Sequence, residues 1–294
     1  MRRHDLVLLV VGVTAVSFSA VLVREADAPS IAVAFYRCAM ASVVLVPLGL
    51  ARHRADYRKL TPTQWRLALA SGVVLAAHFA TWISSLSFTT VAASAVLVQT
   101  LPLWVAAFGR FVGERPSRRA LVGMGVALAG TAIIAGGGYQ GGGRAVLGDL
   151  LAIAGAIFAA IYVLLGRSLR QQLSLVTYSS IVYAAAAVVL GAVMLASGTG
   201  FVGYPAKTWL MFGLITAGPQ FLGHTTFNYL LGHVRASIVA VALLAEPVGA
   251  TLLAWAILGE APGVATLIGG AVVLGGVYMA IVAETRAADV AAVE

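Results

Sequence analysis

Four ionisable side chains lie in stretches otherwise apolar: Arg37, His78, His224 and Glu246. Removing such groups from water is costly, so each marks either a binding site or a structural tie. The two histidines are 146 positions apart, and each has a distinctive residue four places on, Trp82 after His78 and Asn228 after His224. Positions i and i+4 share one face of a helix. Ser71, His78, Trp82 and Ser85 therefore form one polar-aromatic stripe, and Gln220, His224 and Asn228 form another. Stripes of this kind suit hydrogen bonding to a small organic molecule, and Trp82 offers a face for an aromatic or cationic group. The competing reading is that each histidine bonds a neighbouring helix. Glu246 precedes Pro247, which removes a backbone N–H. Its carboxylate can meet an amine, carry a proton, or lock the fold by pairing with Arg37 or His224 or by capping the kink. Arg37 can hold a carboxylate or serve as a structural charge. Gln99, one turn before Pro102, joins Tyr162 and Phe18 as a further candidate contact, and Pro102 and Pro247 are the candidate helix breaks. Two histidines alone make a poor metal site. No H-E-x-x-H or G-x-S-x-G pattern is present, so no metal, no cofactor and no enzymatic chemistry are expected.

These residues need elements to hold them, and composition says which kind. Of 294 residues, 61% are hydrophobic and 10% charged, with mean hydropathy +0.96. Soluble domains carry about 25% charged residues, so this is a polytopic membrane protein. With about 20 apolar residues needed per crossing, ten spans are expected: Leu6–Val23, Ile31–Leu50, Leu67–Ser87, Val91–Phe111, Ala120–Ala135, Leu147–Gly166, Leu175–Ala196, Trp209–Leu231, Ala236–Leu258 and Gly263–Ala283. Met1 to His4 and the apolar run behind them resemble a signal peptide, but the run is long enough to span and reads as an uncleaved first helix. The net charge of +8 belongs to loops facing anionic lipid headgroups, not to a nucleic-acid surface. Cys38 is the single cysteine, which excludes an intramolecular disulfide.

Lys and Arg set the orientation. With the N-terminus inside, the inner segments hold Arg2, Arg3, Arg52, Arg54, Arg58, Lys59, Arg66, Arg110, Arg115, Arg118, Arg119, Arg167, Arg170, Arg235 and Arg286; the outer ones hold Arg24, Arg144 and Lys207. This asymmetry places both termini in the cytoplasm.

The chain also repeats itself. His78 to Pro116 and His224 to Pro262 share an Ala-Ser start (Ala93-Ser94, Ala236-Ser237), an internal proline and a Gly-Glu-x-Pro exit (Gly113, Glu114, Pro116; Gly259, Glu260, Pro262). The expected organisation is a first five-helix repeat at 1–135, a Gly-rich linker at 136–146, a second repeat at 147–283 and a frayed cytoplasmic tail at 284–294. The Gly-rich stretch lacks the G-x-x-x-x-G-K-[ST] pattern of a phosphate cradle. Five is odd, so the second repeat enters the membrane inverted. The expected fold is an all-α membrane protein of ten transmembrane helices, two inverted-topology repeats around a central cavity. Inverted repeats place a substrate site near mid-membrane and expose it to each side in turn.

The two copies resemble the paired EamA-like domains of the drug/metabolite transporter superfamily. The resemblance rests on the Ala-Ser starts, Leu101-Pro102 and Glu246-Pro247, the Gly-Glu exits, Phe35-Tyr36-Arg37, and the glycines of the fifth and tenth spans (Gly123, Gly125, Gly130; Gly269, Gly270, Gly275, Gly276). It implies a ten-helix basket that moves small organic molecules. The expected activity is secondary transport by alternating access, with export of amino acids or related metabolites. Metabolite import and drug efflux by the same fold are the alternatives, and an intramembrane enzyme is the reading from another class. The first span has no carboxylate, unlike a four-helix multidrug exporter of the superfamily, so that proton-exchange scheme is not implied. Proton coupling through Glu246 stays open, as does the choice between monomer and homodimer. The expected partners are substrate and membrane lipid, and the expected location is a bacterial-type inner (plasma) membrane.

Overall fold

The computed structural model describes residues 2–89, 94, 97–113, 116–135, 143–258 and 263–291. Among them every regular element is helical. In chain order these are α1 (Arg3–Ser17), α2 (Ser19–Glu25), α3 (Ser30–Arg52), α4 (Arg54–Lys59), α5 (Pro62–Ser85), α6 (Leu101–Gly109) with a 3-10 turn at Arg110–Val112, and α7 (Arg118–Ala135). They continue with α8 (Gly143–Arg170), α9 (Leu175–Ala196), α10 (Ala206–Ile215), a π-helix at Thr216–Thr225, α11 (Thr226–Leu230), α12 (Ala236–Leu243), α13 (Glu246–Leu258) and α14 (Val264–Ala291).

Local chemistry starts the helices where the chain must turn. Thr61 caps α5 by accepting from the Gln64 N–H, Gln64 reaches back to the Thr61 N–H, and Pro62 occupies the first turn. Ser174 caps α9 by accepting from Thr177 N–H. Orphan N–H groups at a helix start are satisfied in this way without water.

Seven stretches are long and apolar enough to cross a bilayer: Arg3–Glu25, Ser30–Arg52, Pro62–Ser85, Gly143–Arg170, Leu175–Ala196, Ala236–Leu253 and Val264–Arg286. The other three expected spans fall on a short apolar helix (α6 and its 3-10 turn), on the 18-residue α7, and on the α10–π–α11 segment. Two boundaries differ from expectation. Helix α8 begins at Gly143, so the last four residues assigned to the linker are helical. The rest of that linker, together with Ala93, Glu114, Gly259, Glu260 and Pro262, lies outside the described residues. The C-terminal segment does not fray at Ala283; α14 continues to Ala291. The reason is Glu284, which is fully buried and accepts from Ser117 N–H at 2.7 Å and Ser237 Oγ at 3.1 Å while pairing with Arg235 Nη1 at 2.9 Å.

Lipid tails are as apolar as leucine, so helix association here relies on close approach. The α7–α14 seam achieves it with glycines. A Cβ on Gly276 would lie 2.4 Å from Ala127 N, and one on Gly130 would lie 2.6 Å from Val273 N. Helix α5 packs on α8 and α9, with Gly72 against Ala185 and the Val182 carbonyl. At the end expected to face the cytoplasm, Asp5 accepts from His233 Nε2 at 2.9 Å, tying α1 to the loop before α12. At the opposite end, Lys207 pairs with Glu25 at 2.7 Å on the surface.

Two substitutions test this packing. Gly276→Val should destabilise the protein by about 1–3 kcal/mol through overpacking. Glu284→Gln should cost about 3 kcal/mol, because it removes the acid of a buried pair. Thermal unfolding in detergent reads both, and an unchanged midpoint for Glu284→Gln would show that the tail contributes nothing to the fold.

Candidate functional site

The site is built where helices break. Helix α12 stops at Leu243, the chain turns through Leu244 and Ala245, and α13 starts at Glu246. Pro247 is therefore the second residue of a helix and not an interruption within one, and its missing N–H is one that would have no partner within the helix. The same holds for Pro102, second in α6 after a turn at Gln99 and Thr100. Glu246 sits in the first turn of α13, where the helix dipole favours a carboxylate by about 0.3–1 kcal/mol. Its Oε2 accepts from Gln99 Nε2 at 3.2 Å, so the two breaks face each other. Its carbonyl accepts from Ser17 Oγ at 3.2 Å. Among the described residues Glu246 makes no ion pair, neither with Arg37 nor with His224; its place at the start of α13 beside Gln99 leaves capping of the break as its structural role.

His78 and His224 come together from α5 and the π-helix, with ring centroids 6.4 Å apart. They are not equivalent. His78 Nδ1–H donates to the Gly155 carbonyl at 2.9 Å, and the ring stacks on Trp82 at 6.0 Å and 4°. His224 has no hydrogen-bond partner among the described residues; its ring packs against Phe79 and Tyr162. Asn228 is different again. Fully buried, it accepts from Tyr162 Oη at 2.7 Å and directs its amide towards Tyr183 Oη (3.2 Å) and Ser179 Oγ (3.4 Å). Every polar atom of that side chain is engaged by the protein.

His78, Trp82, Gln99, Tyr162, His224, Asn228 and Glu246 all border one cavity of about 70 Å³. That is below the roughly 300–1,000 Å³ typical of small-molecule sites, so a substrate needs the walls to move apart. Apolar walls from Val16, Val163, Phe227 and Leu243 complete it. Two expected residues are not on its wall. Phe18 stands at the break between α1 and α2, and the next residue, Ser19, lines the cavity in its place. Ser19 Oγ is buried without a hydrogen-bond partner. Sequence reasoning missed Ser19, although a serine in an apolar span is a signal of the same kind as the histidines. Arg37 lies behind the wall: it is 1% exposed, its guanidinium carbon is 3.9 Å from the centroid of Phe79, and its Nε donates to Gln220 Oε1 at 2.9 Å. The π-helix that carries Gln220 and His224 was also missed; Ala217-Gly218-Pro219 was its signal, since a proline within a helix displaces the hydrogen-bond register.

A bundle of membrane-length helices closed around a cavity with a few aimed polar groups is the build of a membrane transporter. The EamA-like transporter family model matches residues 5–136 and again residues 146–282, and the chain belongs to that family. An uncharacterized transporter from Archaeoglobus fulgidus (strain ATCC 49558 / DSM 4304 / JCM 9628 / NBRC 100126 / VC-16) is 26% identical over 285 residues, which is 95% of this chain and 96% of the relative. A protein known from a crystal structure shares the fold with a TM-score of 0.81 at 22% identity, covering 97% of this chain and 99% of its own.

The hydrogen bonds separate structural from available groups. Asn228→Leu should destabilise the protein by about 2 kcal/mol or more, because it strands the buried Tyr162 hydroxyl. His224→Ala should cost less, since no protein hydrogen bond is lost. Unfolding midpoints of the two variants check this ordering, and a reversed order would make His224 the structural residue.

Proposed function

We propose that the protein is a secondary transporter of the plasma membrane that exports amino acids or related small metabolites by alternating access. In this reading the ten spans form two inverted five-helix repeats, with both termini cytoplasmic. The observation that carries it is the meeting of His78 and His224, one from each repeat, at a cavity bordered by two facing helix breaks. Broken helices near mid-membrane supply dipole ends and free backbone groups to a substrate that must shed its water. His78 Nε2, both nitrogens of His224, Ser19 Oγ and the Glu246 carboxylate are the groups left for a ligand, and Trp82 supplies an aromatic wall. Asn228 and Tyr162 hold the wall in shape. Glu246 has a single amide partner, which suits both a substrate ammonium and a transported proton.

The direct test compares metabolites in medium and cytosol for cells with and without the protein. Accumulation of an amino acid or close relative in the medium is expected, and unchanged pools would sink the export reading. Purified His78→Ala and His224→Ala should bind that compound up to about tenfold more weakly, the worth of one hydrogen bond. If Glu246 carries protons, Glu246→Gln should lose uphill transport and retain exchange. Orientation is tested by single cysteines in a background where buried Cys38 is replaced. Val202→Cys, 82% exposed, should react with an impermeant thiol reagent from outside, and Ala55→Cys should not. Reversed labelling would overturn the topology.

A further inference from the structure

Three charged side chains are deeply buried among the described residues: Asp5, Arg37 and Glu284. Asp5 meets His233 and Glu284 meets Arg235. Among the described residues Arg37 meets no acid within ion-pair distance. Its Nη1 and Nη2 have no hydrogen-bond partner, and neither does Nε2 of the fully buried Gln220 bonded to it. The Phe79 face offers a cation–π contact, which offsets only part of the cost of burying the charge. The fork of a guanidinium, left open beside a free amide N–H, is the arrangement that receives a planar carboxylate through two parallel hydrogen bonds.

We propose that Arg37 and Gln220 form a carboxylate-binding subsite, reached from the central cavity past Phe79 and His224. One arginine with no second cation at hand matches a single negative charge and leaves a phosphate dianion half-compensated. The barrier is thin: Phe79 lies over Arg37 on one side and meets the His224 ring edge-on at 5.1 Å on the other. Gln220 and His224 share the π-helix, so a change of that stretch to α-helical register turns both side chains together and opens the way. Resting on the transporter reading, the subsite narrows its substrate class. Among the described residues Glu246 has no cationic partner and Arg37 no anionic one, so the charges of the site complement a substrate that carries both a carboxylate and an ammonium.

The experiment uses the purified full chain in detergent and the smallest carboxylate. Melting temperatures are titrated with sodium acetate, sodium chloride, and acetamide in sodium chloride, at equal ionic strength, for wild type, Arg37→Lys and Gln220→Leu. Acetate should stabilise wild type beyond chloride and acetamide. The half-saturating acetate concentration should rise about tenfold or more in Arg37→Lys, which loses the fork, and about threefold in Gln220→Leu. No acetate increment in wild type, an equal effect of chloride, or the same titration in all three proteins would overturn the subsite. If Arg37→Lys does not fold, Gln220→Leu decides, since it leaves the charge in place; an unshifted midpoint there overturns the proposal. The acetate response needs no turnover, so failure of the subsite and failure of amino-acid export show separately.

Discussion

Inside a bilayer no water repairs an interrupted helix, so each break must be closed by the protein itself. The turn at Leu244–Ala245 is the place where this constraint bears hardest. Tight bonds from Leu244 N–H to Val241 and from Ala245 N–H to Ala242 close the end of α12, and Ser17 reaches across from α1 to the Glu246 carbonyl. Gly249 lets α1 come that near, since a Cβ there would sit 2.2 Å from Ser17 Oγ. In the facing break, Thr100 N–H and hydroxyl both bond the Leu97 carbonyl, and Trp104 Nε1 donates to the Thr100 hydroxyl. The cavity exists because both interruptions are repaired locally, leaving the Gln99 and Glu246 side chains to face inward.

The two histidines show how matching sequence positions diverge. His78 is fixed by a backbone carbonyl and a stacked tryptophan, and so presents one nitrogen in a set direction. His224 rides on a π-helix and is held only by ring contacts. One side of the cavity is thus rigid and the other adaptable. The acid adds a further asymmetry: Glu246 occupies the place that Leu101 holds in the first copy.

Much of this was legible in the sequence because helical periodicity fixes which side chains share a face. The i, i+4 pairing of His78 with Trp82 and of His224 with Asn228 led directly to one cavity. Burial of Glu284 was not legible, because its partners Ser117, Arg235 and Ser237 come from other segments and no local pattern announces them. Phe18 stands at the break between α1 and α2, and no pattern in the sequence announces that break or puts Ser19 on the cavity wall. Asn228 borders the cavity, but the hydroxyls that occupy its polar atoms come from α8 and α9, which no local pattern announces.

The glycine seam between α7 and α14 bears on motion. Backbone meets backbone at its glycines, with Met124, Leu128 and Ile134 packed beside them. Displacement along the seam would drive main-chain atoms into each other. The two helices therefore move as one strut, an axle of fixed spacing. In the proposed alternating access, the rocking that opens the cavity swings about this strut.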